Sequence, residues 1–237
     1  MFAGSDTTGI TLCAILYHVL KDSKIHRKLR AALKEASLVY PVSYNDAKEI
    51  SYLSVIISEA TRVHPVIGLP LERVVPQEGL RLPDGRFLPA GTIVGMNPWV
   101  VNRDEGVYGA DADHFVPERW LQQEDETGAE WKERSRKMRE SDLTFGGENR
   151  VCLGKNAGLV EIYKLTATLF SVYKVCLFNI VTDPSHFFIS ASDSRYGEVK
   201  QLTEWGRGVS DGIRGPHQRM GGYQYMVHVS NRAKDPL

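Results

Sequence analysis

The chain opens on a dense apolar run. FAGSDTTGITLCAILYHVL has too few polar breaks for a surface helix and predicts a buried one; no capping residue precedes it, so the pattern starts inside a helix. A second helix follows, capped by Asp22 or Ser23, with Ile25, Leu29, Leu33 and Ala36 along one stripe. Ser43 and Asp46 form an S-x-x-D start signal for a third, whose buried face is Ile50, Leu53, Ile57 and Ala60 and which should stop before Pro65. From Leu69 to Val100 the helical period disappears. Asp84-Gly85 between Leu80/Leu82 and Phe87/Leu88 reads as a hairpin turn, and Pro89-Ala90-Gly91 as another, so a small β region follows the α region.

The segment 122–140, QQEDETGAEWKERSRKMRE, mixes charges of both signs and predicts a solvated surface insertion without chemistry. The loop LTFGGENRVCLG comes next, then a last helix with Leu159, Ile162, Leu165 and Leu169 at amphipathic spacing. Beyond Tyr173 the pattern decays into a short apolar run, CLFNIV, and a glycine-punctuated tail through Gly197, Gly206, Gly208, Gly212, Gly215, Gly221 and Gly222.

Composition changes this picture only by exclusion. With 42% apolar residues in 237, the chain can bury a real core. Its 29 basic residues cancel 29 acidic ones, so no long-range positive field gathers nucleic acid or anionic lipid. Cys13, Cys152 and Cys176 are odd in number and lack CxxC pairing, which argues against a disulfide framework or a structural zinc. No run approaches the ~20 apolar residues of a membrane span, and the start lacks the order of a signal peptide.

Cys152 has surroundings suited to a metal-ligating thiolate. It sits where the last helix begins, and helix N-terminal amides and the helix dipole favour the deprotonated sulfur. Gly146, Gly147 and Gly154 permit tight turns and the close approach of a flat cofactor, and Arg150 adds a positive charge able to pair with a cofactor carboxylate. Cys13 and Cys176 read as buried, inert cysteines.

FGGENRVCLG, with Phe145, Gly146, Arg150, Cys152 and Gly154, resembles the heme-thiolate loop of the cytochrome P-450 superfamily, F-G-x-G-x-R-x-C-x-G. It departs at Glu148, where the family has glycine. A left-handed backbone there would cost a Glu about 1 kcal/mol or more, and its carboxylate would stand close to the sulfur. Three further motifs occur in the family's order. SEATR, with Glu59 and Arg62, is similar to E-x-x-R, and FVPERW is similar to P-E-R-W, whose Arg119 would complete a buried structural Glu-Arg-Arg cluster. AGSDTT resembles the A-G-x-D/E-T-T segment of the oxygen-binding helix. The resemblance implies that Thr7 opens a groove for dioxygen and Asp6 helps deliver protons.

Arg73 in LPLERVV reads as a surface arginine on a strand or, by the resemblance, as a second partner for the heme propionates. His64 is a packing or capping residue. The resemblance covers residues 1–173 as a partial domain, mainly α with a small β region, the C-terminal heme-binding half of the fold in truncated form; 174–237 is an atypical Gly-rich tail. Val63 to Leu121 is most similar to fungal microsomal members of the pisatin-demethylase-like type.

The resemblance further implies heme b with an axial thiolate, an NADPH-cytochrome reductase type electron donor, a small apolar organic substrate and an endoplasmic reticulum membrane location, although no anchor segment stands in this sequence. The expected function is a heme-thiolate monooxygenase. The alternatives are an incompetent fragment that at most binds heme, and a heme-independent helical interaction module. The missing N-terminal region predicts apolar surface exposed where absent helices would pack.

Overall fold

The computed structural model describes residues 2–179, 186–193 and 224–230. The first apolar run is a single helix, α1 (Phe2–Lys21), with Ile15, Leu16 and Val19 in the core. Asp22 caps α2 (Ser23–Glu35): its carboxylate accepts the N–H of Lys24 at 2.7 Å and of Ile25 at 3.3 Å. Ile25, Leu29 and Leu33 are buried as the stripe predicts, but Ala36 lies beyond the helix end and is exposed.

The predicted third helix is two. Ser43 caps α3 (Tyr44–Glu49), after which Ile50 turns extended (φ −77°, ψ 98°) and α4 (Ser51–Val63) begins on a new axis. The break buries the Ile50 side chain, lets α3 lie on the last helix, and frees α4 to pack against α1 and α2. A continuous helix would present Ile50 and Leu53 correctly but could not serve both neighbours. α4 ends at Val63, before Pro65, as expected.

The β region is two small antiparallel pairs. β1 (Leu71–Val74) pairs with β4 (Ile93–Met96), and β2 (Leu80–Arg81) with β3 (Phe87–Leu88). Both glycine turns form where the sequence placed them, with Gly85 at φ +89° and Gly91 at φ +79°. Short helices α5 (Pro98–Val101) and α6 (Glu105–Tyr108) lead into a 3-10 turn at Pro117–Trp120.

The charged segment 122–140 is not a loose insertion. Thr127 and Glu130 make a reciprocal capping box for α7 (Gly128–Ser141), and Met138, 1% exposed, joins Val55, Tyr108, Ala112 and Trp120 in a second core. Its charge is the solvent face; a single methionine per helix length was too weak a period to reveal the buried one. The last helix, α8 (Lys155–Val172), also turns differently from the expected stripe: Ile162, Tyr163, Thr166, Ala167 and Phe170 are buried while Leu165 is exposed.

Where the sequence pattern decays, strand β5 (Tyr173–Asn179) continues directly from α8, antiparallel to β6 (His186–Asp193), which lies parallel to β7 (Gln224–Ser230). Val175 reaches the main core. The Cys176 side chain and the glycines from Gly197 to Gly222 lie outside the described residues. Several large apolar side chains stand exposed, among them Leu69 (72%), Val74 (67%), Ile93 (65%) and Leu153 (104%).

Candidate functional site

Glu59 and Arg62 sit one turn apart on α4 with both side chains 0% exposed. Their pairing is bidentate: Arg62 Nε donates to Glu59 Oε2 and Nη2 to Oε1, each at 2.8 Å. The remaining guanidinium donors reach main-chain carbonyls of Asn102 (2.7 Å), Ala112 (2.6 Å) and His114 (2.9 Å). From the 3-10 turn, Arg119 Nε donates to Glu59 Oε1 at 3.0 Å, and its other nitrogens hold the carbonyls of Tyr108 and Asp111 and the Asp111 carboxylate. Burial works against the Arg119 charge, but Glu59 and Asp111 outweigh it and hold the pKa above the usual arginine value.

Two further donors complete the carboxylate. Trp120 Nε1–H and the Val116 N–H each donate to Glu59 at 2.8 Å. Sequence reasoning grouped the three charged residues but missed these. The indole was signalled, since a tryptophan beside a buried arginine needs a partner for its N–H.

The Cys152 loop is built on one left-handed residue. Gly146 has φ +76°, and a Cβ there would stand 2.9 Å from the Arg150 carbonyl oxygen. Gly147 is extended (φ −143°) and Gly154 right-handed (φ −83°), so neither meets the tight-turn reading; their backbones suit any residue. Glu148 opens a right-handed 3-10 turn, Glu148–Arg150, so the left-handed cost considered for it does not arise. Its side chain lies outside the described residues.

The loop closes through the Cys152 N–H, which donates to the Phe145 carbonyl at 2.8 Å, and α8 begins as the Lys155 N–H meets the Cys152 carbonyl at 3.2 Å. Cys152 is exposed, with Val151 (40%) and Leu153 (104%) exposed beside it. The sulfur lies 3.9 Å from where a Gly154 Cβ would be, an ordinary van der Waals contact.

Arg150 is exposed and makes no side-chain hydrogen bond among the described residues. Arg73, exposed on β1, donates to the neighbouring Glu72 carbonyl at 2.7 Å. Phe145 is half-buried, with Lys155 Nζ 5.4 Å from its ring centre.

At the start of α1, Asp6 is exposed and Thr7 half-buried, its carbonyl accepting the Thr11 hydroxyl at 2.9 Å. Thr8 Oγ1 lies 3.6 Å from a Cβ built at Gly158, in the first turn of α8. The AGSDTT segment and the Cys152 loop are therefore at the same end of α8.

These residues would fit a flat iron macrocycle: an exposed thiol, apolar neighbours, and an exposed guanidinium two residues away. Among the described residues no group of three or more His, Cys, Asp or Glu side chains is placed to hold a metal ion. Among the same residues no helix is long and apolar enough to cross a membrane.

The sequence profile of the cytochrome P-450 family matches residues 1–188. The chain is 47% identical over 173 residues to cytochrome P-450 monooxygenase cfoH of Aspergillus candidus, an alignment covering 73% of this chain and 32% of that protein. It is 43% identical over 179 residues to cytochrome P-450 monooxygenase cicH of Emericella nidulans, covering 74% and 34%. It is 40% identical over 187 residues to cytochrome P-450 monooxygenase gsfF of Penicillium aethiopicum, covering 77% and 34%. The chain thus spans about a third of the length of these relatives.

Proposed function

Because the chain belongs to the cytochrome P-450 family, a family of heme monooxygenases, we propose that it carries the heme-binding half of such an enzyme, with Cys152 as the sulfur ligand of heme b. The observation that carries this reading is the exposed Cys152 thiol, held by its own N–H on the Phe145 carbonyl in a loop that ends at a helix N-terminus.

When bound, the heme supplies activation of dioxygen for insertion of one oxygen atom into an organic substrate. The chain's own residues hold and orient it. Arg150 and Arg73, both exposed cations, suit the two propionates, and Phe145, Gly146 and Gly154 shape the approach to the sulfur. Residues Asp6 and Thr7, at the α8 end that also carries the loop, are assigned to proton delivery and to the oxygen groove. Glu59, Arg62 and Arg119 are assigned a structural role beneath the loop.

Residues 1–173 form the P-450 part in this reading and the remainder an appended tail. A small apolar substrate, an NADPH-cytochrome reductase type donor and an endoplasmic reticulum membrane location are proposed for the complete protein on its family membership.

The test is the absorption spectrum of the purified chain with added heme, reduced and exposed to carbon monoxide. A strongly red-shifted Soret band that disappears in Cys152→Ser is the expected outcome. Soluble protein that gives no such band would overturn the ligation reading in favour of a second one, a remnant without a cofactor site.

A further inference from the structure

Asn102, 0% exposed at the end of α5, has its side chain and carbonyl fully engaged. Its main-chain carbonyl accepts a hydrogen bond from Arg62 Nη1 at 2.7 Å. Its carboxamide oxygen accepts the Leu143 N–H at 3.1 Å, and its amide nitrogen donates to Asp142 Oδ1 and Thr144 Oγ1, each at 3.2 Å. Chemistry fixes this orientation, because the Leu143 N–H can only donate and the Asp142 carboxylate only accept.

Asp142 also accepts the Thr144 N–H at 2.9 Å and the Thr144 hydroxyl at 2.6 Å, and that hydroxyl lies 3.1 Å from the Thr61 carbonyl oxygen on α4. The backbone entering the Cys152 loop is therefore tied to α4 through Asn102 to Arg62, while the Thr144 hydroxyl, whose one proton goes to Asp142, lies beside Thr61. The tie reaches into the loop itself. Leu143 accepts the Gly146 N–H at 2.9 Å, in the turn that starts the loop, and Phe145 accepts the Cys152 N–H at its close.

We propose that Asn102 is a positioning residue that fixes where the loop presents the Cys152 sulfur, by transmitting the rigid Glu59–Arg62 pair to residues 142–144. One residue is gripped through its backbone by the buried cluster and grips the loop entrance through its side chain. It does not touch the sulfur. Its significance rests on the reading of Cys152 as a ligand, but its test is made on the heme-free chain, so either can fail without the other.

Amide hydrogen exchange of the full chain is compared with that of Asn102→Asp, which keeps the acceptor for Leu143 but sets a second carboxylate against Asp142. Exchange at Thr144 and Cys152 is expected to rise about tenfold, the effect of losing one charge-assisted hydrogen bond, with Ile162 and Phe170 in α8 unchanged. The double variant Asn102→Asp/Asp142→Asn restores a donor across the same gap and is expected to return Cys152 towards its original protection, which a packing role would not produce. An unchanged Cys152 amide, or a uniform rise through α4 and α8, overturns the proposal. If Asn102→Asp does not fold, Thr144→Val, which removes only the loop-side hydroxyl, must show the same selective rise at Cys152; its absence is equally decisive.

Discussion

The indole N–H of Trp120 is donated to the carboxylate of Glu59 at 2.8 Å, across 61 residues of sequence, so the largest side chain of the second core also neutralises part of the most buried acid. The two roles separate by substitution. Trp120→Phe keeps an aromatic ring but removes the donor, and should cost about 1–3 kcal/mol. Glu59→Gln leaves the buried Arg62 guanidinium without its anion and Arg119 with Asp111 alone, and should cost about 3–5 kcal/mol. Urea unfolding followed by circular dichroism checks the order of the two; equal losses would show that the acid is not the centre of the cluster.

A matched pair of glycines tests the loop backbone. Gly146→Ala places a Cβ on a left-handed residue and 2.9 Å from a main-chain oxygen, a strain of about 1–3 kcal/mol. Gly147→Ala meets only the Leu143 side chain at 3.8 Å on extended backbone and should be neutral to within about 0.5 kcal/mol. Heme titration read by absorbance is expected to weaken for the first variant alone.

Two cysteines should differ in reactivity. Cys152 is exposed, whereas Cys13 is half-buried in α1 and burial pushes its thiol pKa up. Iodoacetamide at neutral pH, followed by peptide mapping, should label Cys152 first and Cys13 only after denaturant is added. Added heme should slow labelling of Cys152 and leave Cys13 unaffected.

His18 stacks on Phe115 with ring centres 4.5 Å apart. Burial first, then the positive charges of His64 and Lys21, push its pKa down from 6.5 to about 4. Between those values the unfolded chain binds a proton that the folded chain refuses, so stability rises with pH across this window and is lost as pH falls through it. His26 and His64 are shifted the same way by burial. His18→Phe preserves the stack and should flatten the dependence between pH 6.5 and 4 by on the order of 2 kcal/mol, measured by urea midpoints at each pH. An unchanged slope would assign the acid sensitivity elsewhere.

Helices with a strong apolar stripe were legible because one face answers to one core. α2 shows this: Ile25, Leu29 and Leu33 follow the period and all are buried. α3 and α4 were not separable, since Ile50 satisfies the same period while its backbone leaves the helix to serve two neighbours. Helix α7 was hidden by its charge, although Thr127 and Glu130 spelled a capping box. At the site, motif order identified Glu59, Arg62, Arg119 and the Cys152 loop. Asn102 was invisible, because its partners at 142–144 lie some 40 residues away and no periodicity links them.

Arg62 grips Asn102, Ala112 and His114 by their carbonyl oxygens, never by their side chains. The course of the 102–114 stretch is thus set in part from outside, and its exposed positions that carry no such contact stay free. Substitution at His114, exposed and held only through its backbone, leaves this grip intact. A scaffold fastened in this way tolerates extensive rewriting of its surface without losing its course, so this stretch is where new surface chemistry could be installed at the least structural risk.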